Sequence, residues 1–173
     1  MKSKKVVLMG LDDSGKSSIV LSLEGVKNLP AFTQINPTKN SQVSKFNFMD
    51  TDFGIWDFGG QEQYRTDHLL TLKENLKETD KFIFVIDIQD VARYDLALDY
   101  LRKVIQLLIE YDIKVEFSIF LHKNDPDLYI THPEITEDKI EEIIKKIDTI
   151  MREKLDYDLF KTTIYATFQK SKI

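Results

Sequence analysis

Two hydrophobic patterns alternate along this chain. Short apolar runs such as Val6-Val7-Leu8-Met9, Phe82-Ile83-Phe84-Val85-Ile86 and Phe117-Ser118-Ile119-Phe120-Leu121 are strand-sized, and the stretches between them repeat apolar residues at helical spacing. That alternation is the signature of βαβ units and a largely parallel sheet. Strands are expected near residues 4–9, 42–49, 52–57, 81–87, 115–121 and 160–165. The runs around Phe82 and Phe117 are too continuously apolar for half-exposed strands, so both belong inside the sheet with helices on each face. The segment 42–49 differs, because Val43, Phe46 and Phe48 are interleaved with polar residues and Asn47-Phe48-Met49-Asp50-Thr51-Asp52 suits a hairpin. It is expected as an antiparallel edge strand. Ile140, Ile143, Ile144, Ile147 and Met151 form a helical stripe behind Thr136 as N-cap, with Glu137 and Asp138 in the first turn where the helix dipole favours acids. Ala97, Leu101, Val104 and Leu108 form a second stripe, and both face the core. From Asn28 to Gln42, with Pro30 and Pro37 and no period, the chain reads as a long loop of the kind that is usually functional or mobile. The expected fold class is α/β: a six-stranded, mostly parallel sheet with one antiparallel edge strand, helices on both faces and a ligand over the carboxyl ends of the strands. No internal repeat or low-complexity tract interrupts it.

Composition narrows the setting. With 173 residues and 42% hydrophobic content, residues 1–173 fit a single domain that needs no metal or disulfide for stability. The absence of cysteine excludes a disulfide framework, a thiolate metal site and S-lipidation, and points to a reducing, cytoplasmic setting. A net charge of -5 argues against broad nucleic-acid binding, so Lys2, Lys4 and Lys5 are expected as a solvated lead-in to the first strand. Every apolar run is too short to cross a bilayer. Met1-Lys2 offers no glycine for myristoylation and Lys170-Ser171-Lys172-Ile173 no cysteine for prenylation, so any recruitment to a membrane surface would come through a partner.

Chemistry enters at Gly10-Leu11-Asp12-Asp13-Ser14-Gly15-Lys16-Ser17, which fits G-x-x-x-x-G-K-[ST] between an apolar strand and a helix-like stretch. Glycines let successive backbone N–H groups converge on phosphate oxygens, Lys16 would reach the β and γ phosphates, and the Ser17 hydroxyl would ligate Mg²⁺. Asp12, Asp13, Ser14, Gly15, Lys16, Ser17 and Ser18 are therefore the candidate phosphate-binding set. A P-loop alone suits a kinase, an ATPase or a GTPase. A second segment, Trp56-Asp57-Phe58-Gly59-Gly60-Gln61-Glu62, places Asp57 at a strand end, where a carboxylate can hold Mg²⁺ through water. Gly60 can turn its N–H to a γ-phosphate and Gln61 can orient an attacking water, which with Lys16 makes Gln61 the candidate catalytic group.

The third segment, His122-Lys123-Asn124-Asp125, follows the strand ending at Leu121 and resembles the guanine-reading [NT]-K-x-D of the Ras-like small GTPases. An Asp carboxylate accepts both the N1–H and the N2 amine of guanine, a donor pair that adenine lacks, and such a site rejects the wrong base by about 10⁴-fold or more. The resemblance runs along nearly the whole chain. Gly10-Leu11-Asp12 with Trp56-Asp57-Phe58-Gly59-Gly60-Gln61 resembles both the Arf group and the Rag GTPases. Leu8-Met9-Gly10-Leu11, Ile55-Trp56-Asp57-Phe58, Val85-Ile86-Asp87-Ile88-Gln89-Asp90 and His122 tilt it to the Rag C/D branch. Thr163-Ile164-Tyr165 resembles the Rag version of the motif whose backbone touches the guanine carbonyl, which adds Thr163 and Ile164 to the site.

The resemblance implies a switch that binds GTP and GDP with Mg²⁺ and hydrolyses GTP slowly. Its partners would be effectors, an exchange factor and a GTPase-activating protein that read its switch loops, with a second GTPase as dimer partner. Asn36-Pro37-Thr38-Lys39-Asn40 is the candidate switch I, with Thr38 as metal ligand and γ-phosphate sensor and Thr33 as its competitor. Three departures stand out. Asp12 and Asp13 place two carboxylates beside a phosphate site; Asp12 has precedent in the Arf group, while Asp13 either weakens affinity or faces solvent. The sequence ends eight residues after Tyr165, short of the final helix of this fold and of the Rag dimerisation domain. No arginine is placed to stabilise transition-state charge in cis, since Arg65, the nearest, reads as an exposed switch II residue. Turnover on the order of 10⁻⁴ to 10⁻³ s⁻¹ is therefore expected. A nucleotide-binding scaffold with little or no hydrolysis, favoured by the two acids, and a P-loop ATPase or kinase stand as alternatives.

Overall fold

A computed structural model describes residues 2–25, 31–32, 34–152 and 154–164. The first strand, β1 (Lys2–Gly10), leads directly into the P-loop and α1 (Lys16–Leu23). After the candidate switch I come β2 (Ser41–Phe48) and β3 (Thr51–Phe58), then α2 (Glu62–Leu70) and the short α3 (Leu72–Asn75). Next follow β4 (Lys81–Asp87), a 3₁₀ turn (Val91–Arg93), α4 (Tyr94–Glu110) and β5 (Glu116–His122). The chain continues through α5 (Leu128–Thr131), α6 (Glu137–Met151) and β6 (Tyr157–Lys161).

The six-stranded sheet has the order β2-β3-β1-β4-β5-β6, antiparallel only between β2 and β3. The turn between those two strands is Met49-Asp50, both at positive φ (47° and 57°), the two-residue conformation whose twist matches a hairpin. β2 is thus the antiparallel edge strand that its interleaved polar residues imply.

Strand periodicity divides the core into two layers. Val7 and Met9 of β1, Phe82, Phe84 and Ile86 of β4, and Phe117, Ile119 and Leu121 of β5 pack with the stripes of α4 and α6. Val6, Leu8, Ile83 and Val85, one residue out of phase, pack on the other face with Ile19 and Val20 of α1. Burial on both faces explains the continuously apolar runs. Phe82 and Phe117 stack at 5.0 Å across the β4–β5 ladder, and Phe84 meets Tyr100 of α4 edge-on at 5.6 Å. Thr136 caps α6 by accepting the Lys139 N–H at 3.4 Å, as its sequence position predicts.

Two expectations need correction. The last strand spans Tyr157–Lys161 rather than 160–165. Tyr157 and Leu159 pack against the larger core layer at strand spacing, and beyond Lys161 the Thr162 backbone turns to the loop after β5, donating to the Leu121 carbonyl and accepting from Asn124 N–H. Of the basic N-terminal residues Lys4 is exposed, but Lys5 is tied into the fold rather than solvated. Strand β1 starts at Lys2; Lys4 pairs with Asp80 at 2.9 Å, and Lys5 donates to the carbonyls of Asn75 (2.7 Å) and Lys77 (2.8 Å) while lying over the Trp56 ring. Thr33, the stretch 26–30 and everything from Tyr165 onward, including any final helix, lie outside the described residues.

Candidate functional site

A cavity of about 260 Å³ opens at the carboxyl ends of the strands. Its lining brings together Asp12, Asp13, Gly15, Lys16, Ser17, Ser18, Thr38, Gly60, Gln61 and Lys123, with Phe32, Ile35, Asn36 and Pro37 completing the wall. A larger groove of about 560 Å³ lies at the opposite end of the sheet, between Leu108, Ile113, Phe117 and Tyr157, and contains none of the predicted site residues.

The P-loop turn builds the cavity floor. Gly15, the N-cap of α1, sits at φ 90°, and a Cβ there would come within 2.4 Å of the His122 ring. Only glycine suits both the left-handed backbone and that approach. The next residue, Lys16, is 5% exposed; its ammonium donates to the Leu11 carbonyl at 2.7 Å and lies 3.3 Å from the Gly10 carbonyl. Desolvation pushes its pKa down to about 8 against the opposing pull of Asp57, Asp12 and Asp13. A buried ammonium with neutral carbonyl partners is strongly biased to an anion. Ser14 is also buried, 3.4 Å from Lys16 Nζ.

Behind the floor, three oxygen-bearing side chains meet. Ser17 donates to Asp57 Oδ2, and Thr38 Oγ1 lies 3.1 Å from Ser17 Oγ and 3.3 Å from the same carboxylate oxygen. Asp57 is 3% exposed, its Oδ1 has no hydrogen-bond partner among the described residues, and burial pushes its carboxyl pKa up, opposed by Ser17, Lys16 and Thr38. An orphaned buried carboxylate oxygen beside two hydroxyls is a hard-oxygen donor set of the kind Mg²⁺ takes, one that would leave the ion's remaining ligands to come from elsewhere. No cluster of three or more His, Cys, Asp or Glu suited to a metal occurs among the described residues. A protein-only cage is therefore not what this donor set offers.

The two P-loop acids have different explanations. Asp12 accepts from Arg93 at 2.9 Å, with Arg65 a further 3.9 Å away, while Arg93 also donates to Asp90 and, at 3.3 Å, to the Asp12 carbonyl. Its negative charge is offset by cations on the side away from the cavity. Asp13 faces solvent at φ 58°, a conformation that aspartate tolerates better than most residues. Arg65 contradicts the expectation of an exposed residue. Its side chain is 12% exposed, donates to the Gly60 carbonyl at 2.7 Å and lies over the Tyr100 ring at 5.8 Å. Gly60 itself packs so closely on the P-loop that a Cβ would come within 2.1 Å of Asp12 N. Gln61 follows in extended backbone as the N-cap of α2.

A second side-chain network lies beside Lys123. Lys123 donates to Asp87 at 2.6 Å; Asp125 receives Thr163 Oγ1 on one oxygen and Gln89 Nε2, at 3.0 Å, on the other. His122 is 3% exposed, 2.9 Å from Thr162 Oγ1 through Nδ1, and its pKa is lowered by desolvation and then by Lys123. Ile164 lies at the exit of the same loop, partly exposed. A latch also joins the two candidate switch loops: Asn40 accepts the Gly59 N–H at 2.7 Å, and its side chain lies 3.2 Å from Nε2 of buried His68.

Sequence reasoning missed Arg93, Arg65 as a half-buried group, His68 and Gln89. Gln89 and Arg93 stand just past the carboxyl end of a central strand, where ligand sites of open α/β sheets gather, and that position was the available signal.

A P-loop between β1 and α1, a strand-end carboxylate against its serine, and one antiparallel edge strand on a parallel sheet define a G domain of the Ras-like type. The small GTPase Arl6 (BBS3) from Trypanosoma brucei, solved with the bound nucleotide analogue GppNp, has the same fold, with a TM-score of 0.68 and 21% identity over 94% of this chain and 87% of that one. An ADP-ribosylation factor-like protein 2 of Dictyostelium discoideum is 28% identical over 136 residues, 79% of this chain and 68% of its own length. An ADP-ribosylation factor-like protein 5 of Caenorhabditis elegans is 30% identical over 105 residues, 61% of this chain and 54% of its own length. The matches thus span about half to two thirds of these curated relatives. The Gtr1/RagA G protein conserved region matches residues 5–168, and the chain belongs to that family, a small GTPase with Rag and Arf features.

Proposed function

We propose that this protein is a guanine-nucleotide switch that binds GTP and GDP with Mg²⁺ and hydrolyses GTP slowly. The observation that carries the reading is the convergence, around one cavity, of Lys16, Ser17, Thr38 and Gln61 from three separate segments, with Asp57 behind Ser17 and its Oδ1 without a hydrogen-bond partner among the described residues. Lys16 and the P-loop N–H groups bind the β and γ phosphates, Ser17, Thr38 and Asp57 hold the cation, and Ser14, Gly15 and Ser18 complete the cradle. Held by Ser17, Thr38 and Asp57, Mg²⁺ would supply neutralisation of the phosphate charge. Gln61 orients the attacking water, and Gly60 turns its N–H to the γ-phosphate. Lys123, Asp125, His122, Thr163 and Ile164 form the base site, selecting guanine. The loops at Thr38 and Gln61 differ between the two nucleotide states and are read by effectors, an exchange factor and a GTPase-activating protein, with a partner GTPase as dimer mate.

Two acids in the P-loop favoured a non-hydrolysing scaffold. That support is reduced by Arg93, which pairs with Asp12, while Asp13 is exposed and still lines the cavity. A cytoplasmic location with recruitment to a membrane surface through a partner is part of this reading; no helix of the described residues is long and apolar enough to cross a membrane. Single-turnover hydrolysis tests the switch: Gln61→Leu should cut the rate about 10²-fold or more while nucleotide affinity holds. Absence of hydrolysis by the parent chain would leave the scaffold, and displacement of labelled GTP by excess ATP would sink the guanine assignment.

A further inference from the structure

The loop that reads the base is itself under conformational strain. Lys123 has φ 62°, a left-handed backbone that a lysine holds only when its surroundings over-determine it. Those surroundings come from the exit of β4. Asp87 accepts the Lys123 ammonium at 2.6 Å through one oxygen and the Gln89 backbone N–H at 2.8 Å through the other. The half-buried Gln89 side chain then spans the gap: its single amide nitrogen donates to the Lys123 carbonyl at 2.9 Å and to Asp125 Oδ2 at 3.0 Å. Both amide hydrogens are thereby used, so Gln89 has no donor left for a base.

Those donors leave the carboxylate its reading capacity. An ionised carboxylate has about four lone-pair sites. Thr163 Oγ1 occupies one on Oδ1 and Gln89 one on Oδ2, which leaves one site on each oxygen for the adjacent N1–H and N2–H of guanine. A donor on each oxygen also fixes the carboxylate plane, and a bidentate reading requires a fixed plane whereas a single hydrogen bond does not. We infer that Gln89 is a positioning residue for guanine selection: by joining the Lys123 carbonyl to the Asp125 carboxylate it holds the loop in its left-handed turn and sets the plane in which Asp125 meets the base. This inference rests on the guanine assignment above and extends it to a residue outside the H-K-x-D segment.

The test compares GTP, ITP and ATP as competitors for a fluorescent GDP on the full chain. Inosine keeps N1–H and lacks the 2-amino group, so the GTP-to-ITP affinity ratio reports the bidentate contact itself. Gln89→Met keeps length and bulk but removes both donors. It should weaken GTP binding about tenfold, the low end for a hydrogen bond to a charged group, and weaken ITP binding much less, so the ratio contracts towards one. Gln89→Asn keeps the amide but shortens its reach, and should contract the ratio by a smaller factor; it serves if the methionine variant fails to fold. Equal losses for GTP and ITP, leaving the ratio at the parent value, would show a general brace for the loop and overturn the inference. A parent chain that fails to prefer GTP to both ATP and ITP overturns the guanine assignment and this inference with it, and that result is visible before any variant is made.

Discussion

The proposed phosphate site and the proposed base site beside Lys123 are built differently. At the proposed phosphate site the P-loop is joined by Thr38 and Asp57 from other segments, and the buried Lys16 ammonium has only uncharged hydrogen-bond partners among the described residues. Lys16 is desolvated with its pKa pushed down to about 8, and Asp57 keeps one buried oxygen without a hydrogen bond among the described residues. At the proposed base site three separate segments converge and the side chains satisfy one another, Asp87 with Lys123, Asp125 with Gln89 and Thr163. Unbalanced buried charge creates affinity for any polyphosphate and cation that relieve it. Paired and oriented groups contribute less to affinity, and they discriminate because a mismatched base leaves them unpaired.

The largest effect expected of this division is at Lys16. Lys16→Met should lower affinity for GTP and ATP alike by about 10³-fold, the loss of charge-assisted bonds to two phosphates, and leave the base preference intact. Fluorescent-nucleotide titration checks it, and a changed GTP-to-ATP ratio would break the proposed division of labour. Asp125→Ala should do the converse, cutting GTP affinity about 10²-fold or more with ATP affinity nearly unchanged and a much smaller loss of folding stability. Unaltered GTP affinity in that variant would remove Asp125 from the site.

Arg93 sharpens the comparison, because it tunes the phosphate end from outside. Arg93→Ala should expose the Asp12 carboxylate to the phosphates and weaken nucleotide binding about tenfold at low ionic strength, less as salt screens the charges. Adding Asp12→Asn should restore affinity, whereas no rescue in the double variant would mean that Arg93 acts through packing alone.

The smallest effect concerns pH. Burial lowers the pKa of both His68 and His122 below the ordinary 6.5, so between the folded value and 6.5 the unfolded chain binds more protons than the folded one. Stability from these groups is full above about 6.5 and is lost as pH falls through that window. Urea midpoints at about pH 7.5 and about pH 5.5 should show the drop, and His68→Asn or His122→Asn should flatten it. A slope identical in both variants and the parent would assign it to other groups.

Much of this architecture was legible from local sequence. The β2–β3 hairpin, the doubly buried β4 and β5 and the stripes of α4 and α6 follow from periods of two and 3.6 residues. The last strand was misplaced by about three residues because Phe160 and Ile164, both partly exposed, resemble strand-interior residues, while the packing of Tyr157 and Leu159 on the core decides the register. Asp13 was opaque because its rationale is a positive φ and exposure, neither of which composition records.

By itself the sequence determined which motifs are present, since the P-loop pattern, the strand-end Asp-x-Gly-Gly and the Lys-x-Asp proposed to read a base each lie along one short segment. Only the tertiary structure decided how those motifs are tuned. Arg93 reaches Asp12 across 81 positions, Gln89 reaches Asp125 across 36, and Ser17 reaches Asp57 across 40. Contacts of that span depend on strand order and on which loops the sheet brings to one edge. No local period or motif encodes that arrangement, because it is selected by the packing energy of the whole core.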